Sequence, residues 1–353
     1  MLCENRSKNE ARLKNPENII VRMPNWLGDF VMGTPVLSLL KKAFPKAKLT
    51  VMCLSSLTEL LTDDPRIDEL FGFHKEQNIY LRKKEGFRVI DKLKEGRYDL
   101  GILLTNSFSS AWWFYRGGVK NRIGYQGHFR RFLLSKALKP VQEVHQVDQY
   151  KALLKPLGIE DSKAAPKLYV PKEKKEEVQK LLSKGGFQKG QKLIGMNPTA
   201  AYGPAKCWPE KRYKELAKRL LEDQETFILF FGDDKGFEMV KRIADGMDER
   251  VLNLAGVTSL QELTALIGEL DLLVTNDSGP MHIGAALDTP LIAIFGSTDP
   301  KLTGPYQKNG VIQKSVFCSP CFKRVCPIDF RCMKQISVEE VYQKSLAILQ
   351  KHV

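Results

Sequence analysis

Short apolar runs alternate with longer segments in which apolar residues recur every three or four positions, from residue 19 almost to the C terminus. The short runs predict strands at 19–22, 49–53, 70–73 and 100–105, and the longer segments predict helices at 33–43, 56–62, 79–95 and 109–116. A polar, proline-containing stretch follows at 158–171. The alternation then resumes, with strands expected at 193–196, 227–231, 251–253, 272–275 and 291–295. Helices are expected at 209–222, 236–246, 260–268 and 280–287, with a closing one at 338–351. Strands and helices in strict alternation imply parallel sheets covered on both faces, so the class is α/β with two Rossmann-like halves facing a cleft. The expected division is a polar extension at 1–18, a first domain at 19–160, a linker at 161–172, a second domain at 173–336 and a C-terminal helix at 337–353.

Composition narrows the setting. The 353 residues, 43% of them hydrophobic, can build two cores. No apolar run approaches the ~18 residues that would span a bilayer. The opening MLCENRSKNEARLKNPEN lacks the apolar stretch of a secretory signal, so residence in the cytosol is expected, where seven cysteines need not pair. The net charge of +14 falls mostly in the first 160 residues. Between Asp99 and Glu143 there is no acidic residue, but there are Arg116, Lys120, Arg122, Arg130, Arg131, Lys136 and Lys139. That stretch is either a solvated basic face or a surface for a polyanion. No nucleic-acid-binding motif accompanies it, so anionic lipid is the preferred partner and nucleic acid is not expected.

The chemistry concentrates in DLLVTNDSGPMHIGAALDTPLIAIFG, residues 271–296. A buried strand ends at Asp277, and Ser278, Gly279 and Pro280 are suited to starting a helix. Free N–H groups there form an anion-binding corner, while the Asp277 carboxylate suits hydroxyl groups. Phosphate beside hydroxyls suggests a nucleotide-sugar. In LIGMNPTAAYGPAKCWPEKRYKELAKRLL another strand feeds a loop, where Thr199 and Lys206 are candidate phosphate ligands. An exposed lysine with no ligand is the alternative for Lys206. In IIVRMPNWLGDFVMGTPVLSLLKKAFP, Asp29 is placed after the first strand, either as a cleft-facing group or as a helix cap. The GxGxxG fingerprint is absent, which removes the best support for NAD. No D-x-D pair is present either, so a leaving diphosphate would have to be met by Lys206 and helix N-termini. His282 is either a hydrogen-bonder in this site or a structural histidine.

GDFVMGTPVL, GPAKCWP and LVTNDSGPMHIGAAL resemble, in order, the signatures of the ADP-heptose:lipopolysaccharide heptosyltransferases of glycosyltransferase family 9. LLTNSFSSAWWFYRGGVKNRIGY is similar to the branch that attaches the second core heptose. The resemblance covers about residues 19–306. It implies the GT-B fold, with an N-terminal acceptor domain and a C-terminal ADP-heptose domain. It implies metal-independent transfer with inversion, and a general base at Asp29. The phosphate-binding lysine falls on Lys206 and the loop threonine region on Thr199 and Ala200. The donor-site motif falls on Asp277, Ser278 and Gly279, its histidine on His282, a ribose-reading acid on Asp234 and an adenine-adjacent residue on Thr258. Acceptor ligands are expected at Asn106, Ser107, Arg122, Arg130 and Arg131. The implied partners are ADP-heptose, an inner-core lipopolysaccharide glycolipid and the anionic inner face of the inner membrane. A first-heptose transferase, another family 9 enzyme, and a non-catalytic nucleotide- or polyanion-binding protein remain as alternatives.

CSPCFKRVCPIDFRC places Cys318, Cys321, Cys326 and Cys332 at a spacing that can converge on one tetrahedral ion. Related heptosyltransferases acting on autotransporters carry a four-cysteine iron site, which adds to that reading. A structural Zn or Fe is one expectation here, and free or packed thiols are the other. No cofactor is expected for catalysis.

Overall fold

The structure is a computed structural model that describes residues 15–161 and 163–350. Most of the expected extension at 1–18 and the last residues of the chain lie outside the described residues. Two compact units divide between Lys167 and Leu168.

The first unit is a parallel sheet of β1 (Asn18–Arg22), β2 (Lys48–Leu54), β3 (Glu69–Phe73), β4 (Leu100–Leu103), β5 (Asn121–Tyr125) and β6 (Lys136–Leu138), in the order β3-β2-β1-β4-β5-β6. Its helices are α1 (Leu27–Ala43), α2 (Ile79–Glu95), α3 (Phe108–Arg116) and α4 (Gln146–Ala152). The second unit repeats the plan. Its strands are β7 (Lys192–Asn197), β8 (Thr226–Phe230), β9 (Val251–Asn253), β10 (Leu272–Asn276), β11 (Leu291–Phe295) and β12 (Val311–Gln313), ordered β12-β11-β10-β7-β8-β9. Its longer helices are α5 (Lys172–Lys184), α6 (Glu210–Leu220), α7 (Phe237–Ala244), α8 (Leu260–Gly268), α9 (Gly279–Ala286) and α10 (Val338–Leu349), and Pro300–Thr303 and Arg331–Lys334 form single helical turns.

Every residue of β8, β10 and β11 is buried, as expected of parallel strands with helices on both faces. The helices contribute one stripe each. In α6, Tyr213, Leu216, Ala217 and Leu220 turn inward and pack with Trp208, Ile228 and Val274. Both sheets reverse strand order once, between β1 and β4 and between β7 and β10. Ligands of doubly wound sheets bind beyond the carboxyl ends of the strands at such points.

Several elements differ from expectation. Helix α1 begins at Leu27, not near Gly33, and carries both Gly33 and Pro35 within it. Gly33 is there for packing, since a Cβ would lie 2.9 Å from Leu104 Cδ1. Pro35 has no N–H for the Val31 carbonyl, and the Thr34 hydroxyl donates to that oxygen instead, at 2.8 Å. The segment expected as a helix at 56–62 is a 3₁₀ helix, Ser55–Leu61. The short strands β5, β6 and β12, and helices α4 and α5, were not anticipated. These strands are short or mixed, and α5 buries only Val178 and Leu182.

Candidate functional site

The switch point of the second unit is built from the ends of β7, β10 and β11. Lys206 Nζ lies 2.5 Å from Asp277 Oδ2, with side chains 12% and 4% exposed. The Thr298 hydroxyl donates to the same oxygen at 2.6 Å. Tyr202 lies under the Lys206 ammonium, 4.7 Å from nitrogen to ring centre, so the lysine is fixed by an aromatic face and a carboxylate together. Asn197, at the end of β7, donates to the Thr199 carbonyl, Thr275 Oγ1 and Ser278 Oγ. Asn276 accepts from the Trp208 N–H and the Tyr213 hydroxyl and donates to the Pro198 carbonyl. These amides lock the loop that carries Thr199 and Ala200 onto β10.

Ser278 precedes α9 but does not cap it; its hydroxyl turns back to the Asn276 carbonyl. Pro280 is the second helical residue, one later than the sequence suggests. The start of α9 therefore keeps N–H groups that no capping side chain takes, next to a fixed ammonium. This arrangement can bind a phosphate and help it depart as an anion. His282 is buried one turn into α9. Asp234 is exposed beyond β8, and the φ of +68° at Gly256 brings that backbone beside it, where a Cβ would lie 3.0 Å from Asp234 Oδ1. Gly236 is similarly close to Thr199, with a Cβ position 2.4 Å from Thr199 Cγ2. Thr258 is half-buried two residues after Gly256. The loops after β7, β8 and β9 are thus neighbours around one corner. Asn197, Tyr202, Asn276 and Thr298 were missed by sequence reasoning. Asn197 and Asn276 end strands, which was a usable signal, while Thr298 becomes a partner only through sheet order.

In the first unit, Asp29 is the third residue of α1; Trp26 is the N-cap residue. The Tyr150 hydroxyl donates to Asp29 Oδ1 at 3.2 Å across 121 positions of sequence. Burial, and then the Asp29 charge, push the Tyr150 phenol well above its ordinary range, so it stays a donor. Asp29 is thereby oriented and half-buried, in a place where a carboxylate can take a proton from a hydroxyl.

A cavity of ≈640 Å³ opens beside β1, β3 and α3, with Arg22, Asn25, Phe73, Ser107, Trp112 and Trp113 in its wall. Of the expected acceptor ligands, Ser107 lines it and Arg131 is exposed on the surface. Arg122 and Arg130 are engaged by carbonyls of their own unit. Arg130 is fully buried, donating to the Tyr125 and Thr105 carbonyls and to Asn106 Oδ1, while Arg122 donates to Leu133, Val119 and Lys120 carbonyls. Their burial lowers both guanidinium pKa values, that of Arg130 to about 10. They are clamps on residues 125–133, and Asn106 serves the same clamp.

The four clustered cysteines are free thiols around a cavity of ≈70 Å³. Among the described residues, no three His, Cys, Asp or Glu side chains are placed to hold a metal ion. The donor set therefore does not fit the expected Zn or Fe. Cys326 is turned to backbone N–H groups: burial pushes its thiol up, but donors at 328–330 outweigh that and bring it below its ordinary value. Cys332 is buried and pushed up.

Two Rossmann-like units of one strand order, the second with an anion-ready switch point, define a glycosyltransferase of the GT-B class. The profile of glycosyltransferase family 9 (heptosyltransferase) matches residues 87–330. The chain is 34% identical to lipopolysaccharide heptosyltransferase 2 of Salmonella typhimurium over 81% of this chain and 85% of that one. It is 30% identical to lipopolysaccharide heptosyltransferase 3 of Escherichia coli, over 80% and 84% of the two chains. The solved structure of E. coli ADP-heptose lps heptosyltransferase II superposes with a TM-score of 0.80 at 28% identity, covering 95% of this chain and 99% of that one. The chain belongs to glycosyltransferase family 9, the heptosyltransferases.

Proposed function

We propose that this chain transfers heptose from ADP-heptose to the inner core of lipopolysaccharide, adding the second heptose to heptosyl-Kdo-lipid A, with inversion and without a metal. The observation that carries the reading is the Lys206–Asp277 pair beside the uncapped start of α9. Relatives named heptosyltransferase 2 support the choice of position. Asp29, steadied by Tyr150, takes the proton of the acceptor hydroxyl. The freed oxygen attacks the anomeric carbon from the face opposite the phosphate, and the sugar–phosphate bond breaks. Negative charge gathers on the departing diphosphate and is met by Lys206 and the α9 N–H groups. Asp277 Oδ1 receives sugar hydroxyls, Asp234 the ribose, and Thr199, Ala200, Thr258, Ser278, Gly279 and His282 complete the donor site.

The acceptor of this reaction is a glycolipid, and the first unit has a surface suited to the anionic inner face of its membrane. Phe108, Trp112, Tyr115 and Phe132 form a chain of ring contacts, and Phe132 and nearby Phe129 are 72% and 91% exposed. Arg116 and Arg122 lie over Trp112 and Tyr115. Amphipathic rings among cations are the composition of an interfacial contact. No described helix is long and apolar enough to cross a membrane.

ADP release in EDTA, with Kdo-lipid A and its heptosylated form as parallel acceptors, tests the reading. Turnover on the heptosylated acceptor alone is expected. Turnover on the bare acceptor alone reassigns the chain to the first heptose. Turnover on neither, with ADP-heptose still bound, refutes the acceptor.

A further inference from the structure

The cysteine-bearing segment 318–332 is fastened to both sides of the Lys206–Asp277 pair. On the aspartate side, just past β11, the Ser297 carbonyl accepts from the Cys321 and Phe322 N–H groups, and the Ser319 hydroxyl donates to the Gly296 carbonyl. Thr298, which bonds Asp277, is the next residue. On the lysine side, the Tyr202 hydroxyl donates to the Phe322 carbonyl at 2.7 Å and the Ala205 N–H donates to the Arg324 carbonyl at 3.0 Å. Gly203 lies against that carbonyl, since a Cβ there would be 2.5 Å from its oxygen. The Arg324 guanidinium and the Lys206 ammonium both lie over the Tyr202 ring. Residues 322–324 therefore hold the loop that presents Lys206.

The four thiols line the ≈70 Å³ cavity together with Ala205 and Ser297, the residues at which the segment is fastened. They are free. Cys326 is half-buried and accepts from the Phe330 N–H at 3.2 Å, a contact that favours the reactive thiolate. The turn that brings Phe330 to Cys326 also brings Cys332 into the same wall. Cys318 and Cys321 flank the stretch tied to Gly296 and Ser297. Elsewhere, burial pushes the Cys53 and Cys207 thiols up to about 12 and about 11, which keeps them unreactive.

We propose that this cluster is an oxidation site that sets the affinity of the donor site for ADP: a hydroperoxide links Cys326 to Cys332, and the linked segment loosens its hold on Tyr202 and Ala205. The Cys326 sulfur attacks a peroxide oxygen, the O–O bond breaks, and the departing hydroxide takes the Cys326 proton and leaves as water. The Cys332 sulfur then attacks the sulfenic sulfur of Cys326. The S–S bond forms, and the hydroxyl leaves with the Cys332 proton as a second water. Two thiols lose two electrons and one hydrogen peroxide gains them. A disulfide requires its Cβ atoms to lie ~3.5–4.5 Å apart. Drawing Cys326 toward Cys332 pulls on Arg324, two residues upstream, whose carbonyl holds the Lys206 loop. The inference rests on the reading of Lys206 as the phosphate ligand and adds a control over it.

Isothermal titration of ADP into the full chain tests this, before hydrogen peroxide, after it, and again after dithiothreitol. A non-reducing peptide map by mass spectrometry locates the bond. Oxidation is expected to give a Cys326–Cys332 crosslink and to weaken ADP roughly tenfold, the effect of displacing one charged contact, with dithiothreitol reversing both. Cys326→Ser should bind ADP like the reduced wild type and keep that affinity in peroxide. If Cys326→Ser does not fold, Cys332→Ala decides by the same criterion. Absence of the crosslink, a crosslinked chain with unchanged affinity, or an equal peroxide-induced loss in Cys326→Ser overturns the proposal. A reduced chain that does not bind ADP refutes the donor reading and this inference with it. A reduced chain that binds ADP and keeps its affinity once crosslinked refutes the inference alone.

Discussion

Lys206→Met should unfold the second unit more easily and weaken ADP binding, by separable amounts. Lys206 and Asp277 are 12% and 4% exposed and 2.5 Å apart, so removing the ammonium leaves a buried carboxylate with only the Thr298 hydroxyl for support. Breaking such a pair from one side costs about 3–5 kcal/mol. For a unit of this size each kcal/mol shifts the melting midpoint by roughly 2–4 °C, so the drop should be roughly 6–20 °C. Converting both partners, Lys206→Met with Asp277→Asn, removes the stranded charge and should restore most of that loss, to within about 1 kcal/mol. Phosphate contact is a different matter. Losing a charged hydrogen bond to it costs about 1.5–3 kcal/mol, roughly tenfold to a hundredfold in ADP affinity, and the double variant should not recover it. Trp208, buried in the core of the second unit, can report the unfolding when Trp26, Trp112 and Trp113 are replaced by phenylalanine. Isothermal titration gives the affinity. A double variant as unstable as the single one, or a Lys206→Met chain that binds ADP like the wild type, would refute the reasoning.

Asp29→Asn should lower transfer by ~10²–10⁴-fold with ADP affinity unchanged, measured by ADP release and titration; near-normal turnover would remove Asp29 from the base role. Dialysis against EDTA should leave both melting and turnover as they were, and elemental analysis should find far less than one Zn or Fe per chain; a stoichiometric metal would overturn the reading of the cysteines as free thiols. Asp99 is held by the Glu17 and Asn18 N–H groups and by Lys120, and although burial pushes its carboxyl up, these partners win and hold it below the ordinary carboxylate range. A depressed folded pKa means that the unfolded chain binds more protons, so this contribution is present above about pH 4 and is lost as pH falls through the folded value. Urea midpoints between pH 6 and pH 3 should therefore fall less steeply for Asp99→Asn than for the wild type.

Strand placement was legible because the central strands are apolar on both faces: runs such as IIV in β1 and LLVT in β10 have few other ways to fold. The edges were not. NRIGY and KAL become β5 and β6 only because β4 and β5 present them with open hydrogen-bonding edges. KEKKEEVQKLLSK forms α5 around just two inward residues, below what periodicity can pick out. Gly28 reads as a loop residue and Gly33 as the start of the helix, yet α1 begins at Leu27 and carries both, with Pro35, inside it. Gly33 is needed against Leu104, and Thr34 satisfies the carbonyl that Pro35 leaves open.

The sequence by itself determined the alternation of strands and helices, the two halves and the family motifs, because local apolar patterning and short polar turns are encoded residue by residue. It also singled out Asp29, Lys206 and Asp277 as chemical groups. Their partners were decided by tertiary structure. Tyr150 reaches Asp29, and Thr298 reaches Asp277, only when sheet order brings distant strand ends together. Arg122 and Arg130 show the same limit from the other side, since a basic stretch looks alike whether its guanidinium groups face solvent or clamp carbonyls. Charge is written in the sequence; burial and pairing, which set what a charge does, arise from the packing of segments far apart in the chain.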